Sequence, residues 1–283
     1  MKTYFSIVFL ISALFFACST SDKKVSPDAV NDTKKDSGVV DTSTVKVLKE
    51  YFSNGKIKTE TAAKGNLRHG LTKNYDRDGH LLSQVTYVNN TREGIATNFY
   101  PLSGKVNSTL VYKKGIKDGD ETWYYESGQP YRVTPYIKGF ANGMQKFYYE
   151  DGKLKAEVPI KNGNPGTGLK EYKTDGTLIA GYPALIIRQK DFMATAGKVV
   201  LNIELSDPKA QVKFYRGSLE DGKYISDNMN EMSVRNGIAS IDFNVPPGSA
   251  VNQKVIISAN IKTAFGNPLI VSRTFNVSAV NNH

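Results

Sequence analysis

The chain has almost no cysteine: a single one, Cys18, in 283 residues. An internal disulfide is therefore excluded, and so is a zinc site built on cysteine clusters. Histidine is nearly as scarce. His69 and His80 fall in turn-like segments and His283 is terminal, so no closely spaced set of three or four metal ligands emerges. No glycine loop is followed by a helical pattern, which removes a phosphate cradle. No run alternates three carboxylates around a glycine, as a calcium loop requires. Acidic residues such as Asp118, Asp120, Glu126, Glu150 and Asp151 flank turns, where such side chains serve turn geometry. Past the start of the chain there is no apolar run long enough to span a bilayer, and over 48–183 no i, i+3, i+4 stripe marks an amphipathic helix. The expectation from these absences is a non-enzymatic protein with no metal and no cofactor.

What is present begins at the N-terminus. "MKTYFSIVFLISALFFACST" has a basic start at Lys2, an apolar core from Tyr4 to Phe16, and small Ala17 before Cys18. That is the pattern of a secretory signal. Its ending, Phe-Phe-Ala-Cys, resembles the lipobox of bacterial lipoproteins, with Phe15 where leucine is usual. The resemblance implies a signal peptide over 1–17 and lipidation of Cys18. Two acyl chains already suffice for stable anchoring. Ser19 stands where an inner-membrane retention Asp would be, which implies the outer membrane of a Gram-negative envelope. The segment that follows is rich in Ser, Thr, Asp and Lys and has no aromatic residue up to Val45. It reads as a flexible tether over 18–47, because it cannot bury enough apolar surface to offset its ordering entropy.

The next region repeats. Turn glycines fall at Gly55, Gly79, Gly104, Gly128, Gly152 and Gly176, and an aromatic precedes each: Tyr51, Tyr75, Phe99, Tyr124, Tyr148 and Tyr172. A second glycine closes units at Gly70, Gly94, Gly119, Gly143 and Gly168. Fixed-period self-similarity of this kind marks a repeat architecture. Segments such as "QVTYVNN" and "TLVYKKG" alternate with period two, and Tyr and Val suit a pleated, half-buried surface. Each unit is expected to be a β-hairpin. A lone hairpin is marginal in water, so the hairpins should stack into one antiparallel sheet over 48–183, with five full units and a partial sixth.

"WYYESGQPYRVTPYIKGFANG" and "KFYYEDGKLKAEVPIKNG" resemble the MORN-repeat variant common in bacterial proteins. Members often carry the label of toxin–antitoxin system antitoxin. The resemblance implies a binding or scaffold module, and the label implies an alternative: an antitoxin that neutralises a toxin by protein contact. Antitoxins work in the cytoplasm, so an export signal argues against that alternative.

From residue 184 to 283 the period stops. Six or so alternating strands separated by Gly, Asp, Asn and Pro turns suit an immunoglobulin-like β-sandwich. The fold class expected for the whole is therefore all-β. With no catalytic set in view, the candidate binding surface is the aromatic cluster Trp123, Tyr124, Tyr125, Tyr148 and Tyr149, with Lys73, Lys146 and Lys170. Residues two apart on a strand share a face, so lysines and column aromatics should line one side together. The net charge of +10 is spread along the chain. The partners expected are the membrane, through lipidated Cys18, and an envelope protein or glycan; nucleic acid is not expected.

Overall fold

The computed structural model describes residues 44–282. The segment read as a signal peptide, Cys18, most of the segment read as a tether and His283 lie outside the described residues.

The repeats form one antiparallel meander. It begins with β1 (Val45–Tyr51), β2 (Ile57–Lys64), β3 (Leu67–Tyr75), β4 (Leu81–Val88), β5 (Thr91–Arg92), β6 (Gly94–Phe99) and β7 (Val106–Lys113). It continues with β8 (Ile116–Tyr124), β9 (Pro130–Ile137), β10 (Phe140–Ala141), β11 (Gly143–Tyr148), β12 (Leu154–Lys161), β13 (Asn164–Pro165) and β14 (Lys170–Glu171). These make a single 14-stranded sheet in which long neighbours in sequence are neighbours in space. The first strand starts at Val45, inside the segment read as tether. The reason is pairing: Val45 lies opposite Lys64 and Val47 opposite Ala62, so β2 supplies a ladder that short-range composition does not reveal.

Every hairpin turns the same way. The residue after the column aromatic donates its amide across the turn, as in Tyr125 to Gln129 and Tyr149 to Lys153. The turn glycine then bonds back three residues, Gly128 to Tyr125 and Gly152 to Tyr149. One turn is longer by a residue, with Gly104 bonding back to Tyr100. That extra residue stretches one spacing, Gly79 to Gly104, to 25 where the others are 24.

A β-bulge precedes five of the six column aromatics. The register shifts at Glu50/Tyr51, Asn74/Tyr75, Asn98/Phe99, Trp123/Tyr124 and Phe147/Tyr148. The extra residue lies on the opposing strand. Tyr131, for example, is passed over between Arg132 opposite Trp123 and Pro130 opposite Tyr124. A bulge increases local twist and re-aims side chains, so regular bulges give the array a regular twist.

Beyond the array come β15 (Leu185–Phe192), α1 (Met193–Ala196), β16 (Lys198–Leu205), β17 (Val212–Arg216) and β18 (Asn230–Glu231). β19 (Val234–Arg235), β20 (Ile238–Asn244), β21 (Ala250–Lys262) and β22 (Pro268–Val280) complete the chain. They form two four-stranded sheets, β15-β16-β20-β19 and β18-β17-β21-β22. The fully buried Leu201, Ile203, Phe214 and Ile257 join both sheets in one core, an arrangement that fits a β-sandwich. That core also takes in Val158 and Leu169 from the end of the array. Array and C-terminal sheets therefore belong to one compact unit. Among the described residues, no helix is long and apolar enough to cross a membrane.

Candidate functional site

The register sorts the array's side chains onto two faces. On one face a transverse row starts with Lys49, Glu60 and Lys73, continues through Thr97, Thr109 and Thr122, and ends with Lys146, Glu157 and Lys170. Gln84 links the first group to Thr97, and Val133 links Thr122 to Lys146. The column aromatics stand beside this row, because Tyr75 follows Lys73 by two and Tyr148 follows Lys146 by two. On the row's other flank lie Val47, Leu71, Ile95 and Met144, all substantially exposed. Two shallow hollows open on this face. One, of about 380 Å³, is lined by Val47, Lys49, Glu60, Ala62, Leu71 and Lys73. The other, of about 500 Å³, lies between Lys105, Thr109 and Tyr124.

The ends of the row are organised alike. Near the start, Glu60 takes Lys49 at 3.1 Å and the Tyr75 hydroxyl at 2.7 Å. Near the finish, Glu157 takes Lys170 at 3.8 Å and the Tyr172 hydroxyl at 3.3 Å. The Tyr75 bond, then Lys49, holds the Glu60 carboxyl below its usual range. Burial, then Glu60, pushes the Tyr75 hydroxyl up to about 12.

The sign of the linkage follows from these two shifts. A raised tyrosine contributes stability that is complete below its unfolded value near 10 and is lost as pH rises towards about 12. The depressed Glu60 contributes above its unfolded value of 4.5, and that share is lost as pH falls through its lower folded value. Tyr75→Phe should therefore lower the melting temperature at pH 7 and flatten the alkaline limb of the stability curve. Thermal melts at closely spaced pH values check this; an unchanged alkaline limb would contradict it.

The eight residues singled out in the sequence do not form one surface. Lys73, Lys146, Lys170, Tyr124 and Tyr148 share the face just described. Trp123, Tyr125 and Tyr149 lie on the other, because adjacent strand residues point to opposite sides. There they hold the sheet together. Trp123 stacks with Arg132, 5.2 Å from guanidinium to ring, and its ring centroid is 6.4 Å from that of Tyr131. Tyr125 donates its hydroxyl to the Tyr148 carbonyl at 2.9 Å, and Tyr149 donates to that of Tyr172 at 2.6 Å. Tyr100 does the same to Tyr124 at 2.7 Å. The second tyrosine of each pair is thus a staple to the next repeat.

Other fixtures were not foreseen in the sequence. Lysines just past turn glycines donate to carbonyls of the next turn: Lys56 to Asp78, Lys105 to Glu126 and Lys153 to Thr174. On the stapled face, Arg68 lies over Tyr87, Arg92 over Tyr112 and Lys117 over Tyr136. This cation–aromatic ladder was legible in principle, since each cation precedes a closing glycine by two. Each contact is worth roughly 0.5–1 kcal/mol at an exposed site.

Asp76, Asp78 and His80 form a group whose donor atoms lie within 4.8 Å of one another. It had not been picked out as metal-binding. The Asp76 carboxylate is already occupied, accepting from the amides of Asp78 and His80 and facing the His80 ring at 2.9 Å. Burial opposes its ionisation, but the His80 and Asp78 bonds outweigh it and lower its pKa. This is how a turn is closed, and nothing further in the group points to an ion.

At the C-terminal end, Glu171 is almost fully buried. One oxygen accepts from Thr263 and Asn267, both at 2.7 Å, and the other from Tyr182 at 2.9 Å. Thr263 and Asn267 belong to the turn joining β21 to β22, so Glu171 ties array to sandwich. Lys161 adds exposed pairs to Glu220 and Asp221 at 2.7 and 2.6 Å.

A family model described as the MORN repeat variant matches residues 68–89, 117–138 and 141–162. Three of the array's hairpins are thus MORN-variant repeats. Each matched stretch covers one strand–turn–strand unit, so the MORN unit here is a hairpin with a tight glycine turn. The intervening hairpin, β6–β7, has the same pairing but the longer turn, and it lies outside the matched stretches. No curated protein matches the chain. MORN repeats suggest a binding or scaffold module.

Proposed function

We propose that this chain is a non-enzymatic lipoprotein of the cell envelope, anchored through Cys18, whose MORN-variant array binds an envelope protein or glycan on its lysine–threonine–tyrosine face. The observation that carries the reading is the contrast between the faces. One is committed to internal staples and, at its end, to the C-terminal sheets. The other runs across the whole sheet with exposed apolar residues, hydroxyls and Lys146, which makes no side-chain ion pair or hydrogen bond among the described residues. Apolar surface rimmed by polar groups is characteristic of interaction sites. The N-terminal pattern supports the anchor, since a lone cysteine at the end of a signal-like segment has no disulfide to form.

The intact mass of the mature protein, extracted in detergent from its own host, tests the anchored part. A chain beginning at Cys18 with added acyl mass is the expected result. A full-length, unmodified chain in the soluble fraction would contradict it and would move the repeats to a cytoplasmic role, the antitoxin alternative.

A further inference from the structure

Among the described residues the N-terminal edge of the array is open: β1 is exposed along its whole length, and β2 is its one neighbour in the sheet. The Phe52 amide donates to the Lys56 carbonyl, towards β2. Backbone groups alternate sides along a strand, so Glu50, Leu48 and Lys46 also bond towards β2. Tyr51, Lys49, Val47 and Val45 then present their N–H and C=O groups outward. A row of this kind is a template for another strand. Lysines ordinarily protect such edges, and β1 has two. Lys49 is neutralised by Glu60 at 3.1 Å, whereas Lys46 has no carboxylate partner among the described residues.

We infer that β1 pairs antiparallel with β1 of a second copy, about a two-fold axis through Leu48, and so joins two arrays into one sheet. The strand Val-Lys-Val-Leu-Lys-Glu-Tyr is self-complementary in this register. Lys46 falls opposite the partner's Glu50, and by symmetry this happens twice. Val45 meets the partner's Tyr51, and Leu48 meets the partner's Leu48. The outward groups of Val45, Val47, Lys49 and Tyr51 form the hydrogen-bonded positions. The lysine–glutamate pairs occupy the other positions, where opposing side chains come closest. Competing arrangements are penalised. A one-residue slip can set Lys46 against Lys49, and parallel in-register pairing sets each lysine beside its own copy. A two-fold contact of this kind closes on itself and does not grow into a fibre. The seam buries less than the roughly 1,000 Å² of a stable interface, so the dimer is weak and depends on concentration. The inference rests on the edge and not on the binding-face reading.

Sedimentation of the full chain in non-ionic detergent, from micromolar to hundreds of micromolar, tests it. A reversible monomer–dimer equilibrium is expected. Lys46→Glu or Glu50→Lys alone should weaken it by about tenfold, since two attractive cross-strand pairs become repulsive. The double variant Lys46→Glu/Glu50→Lys should restore it. Val47→Pro, which removes an outward amide and leaves the β2 ladder intact, should abolish it. A monomer at every concentration would overturn the inference, as would a dimer indifferent to these changes or one the double variant does not restore. So would protection from exchange in the monomer of the outward amides of Val45, Val47, Lys49 and Tyr51, which would mean that the chain's own N-terminal segment covers the edge.

Discussion

Glu171→Ala should destabilise the protein by about 3 kcal/mol, because three donors, Asn267 buried and Tyr182 and Thr263 half-buried, lose their acceptor at once and hydrogen bonds to a charged group are worth about 1.5–3 kcal/mol each. Tyr182, Thr263 and Asn267 all aim at this carboxylate, and it is only 2% exposed. Glu171→Gln should cost far less. Its oxygen can keep Thr263 and Asn267, and its amide can donate to the Tyr182 hydroxyl. The loss should also have a place. Because Glu171 bridges β14 and the β21–β22 turn, the alanine variant should uncouple array from sandwich, and hydrogen exchange should speed up first in residues 155–182 and 260–268. Equal losses for alanine and glutamine would mean that the site tolerates any polar side chain and that the acceptor geometry is unimportant.

Gly119→Ala is the second large effect, at about 3 kcal/mol. Gly119 has φ of +130°, and a Cβ there would lie 2.9 Å from the Val111 Cβ. Backbone strain of this kind costs on the order of 1–3 kcal/mol, and forcing an extra methyl into a tight contact adds a comparable amount. Gly128 separates the two contributions. Its φ is +93° and no atom lies within 4 Å of its would-be Cβ, so Gly128→Ala should carry the strain alone and cost about 1 kcal/mol. Chemical denaturation of both variants provides the comparison. A Gly119 variant no worse than the Gly128 variant would show that the sheet yields at Val111.

These glycines also show how far the sequence could be read. The spacing of turn and closing glycines was visible, and with it the hairpin, the meander and the MORN resemblance, because left-handed backbone positions demand glycine at fixed places. The faces were only half visible. Alternation correctly put Lys73 with Tyr75 and Lys146 with Tyr148. It could not show that a bulge at each unit sets Tyr131 and Arg132 together opposite Trp123. Nor did adjacency in sequence give adjacency in function: Trp123, Tyr124 and Tyr125 looked like one cluster, yet a strand must divide them. The tie at Glu171 was hidden for another reason. Its partners Thr263 and Asn267 lie more than ninety residues away, and a glutamate in a repeat position occupied elsewhere by Glu50, Asn74, Asn98, Trp123 or Phe147 announces no such contact.

The open face can be tested on a single strand. Ile95 and Asn98 both lie on β6 and are exposed, but they point to opposite sides of the sheet. A photo-reactive amino acid placed at each position in turn, followed by irradiation of intact host cells and mass analysis of the adducts, reads which side meets a partner. Discrete envelope adducts from position 95, with none from position 98, are the predicted result. Adducts from position 98 alone, or the same adducts from both, would contradict a binding surface confined to the lysine–threonine–tyrosine face.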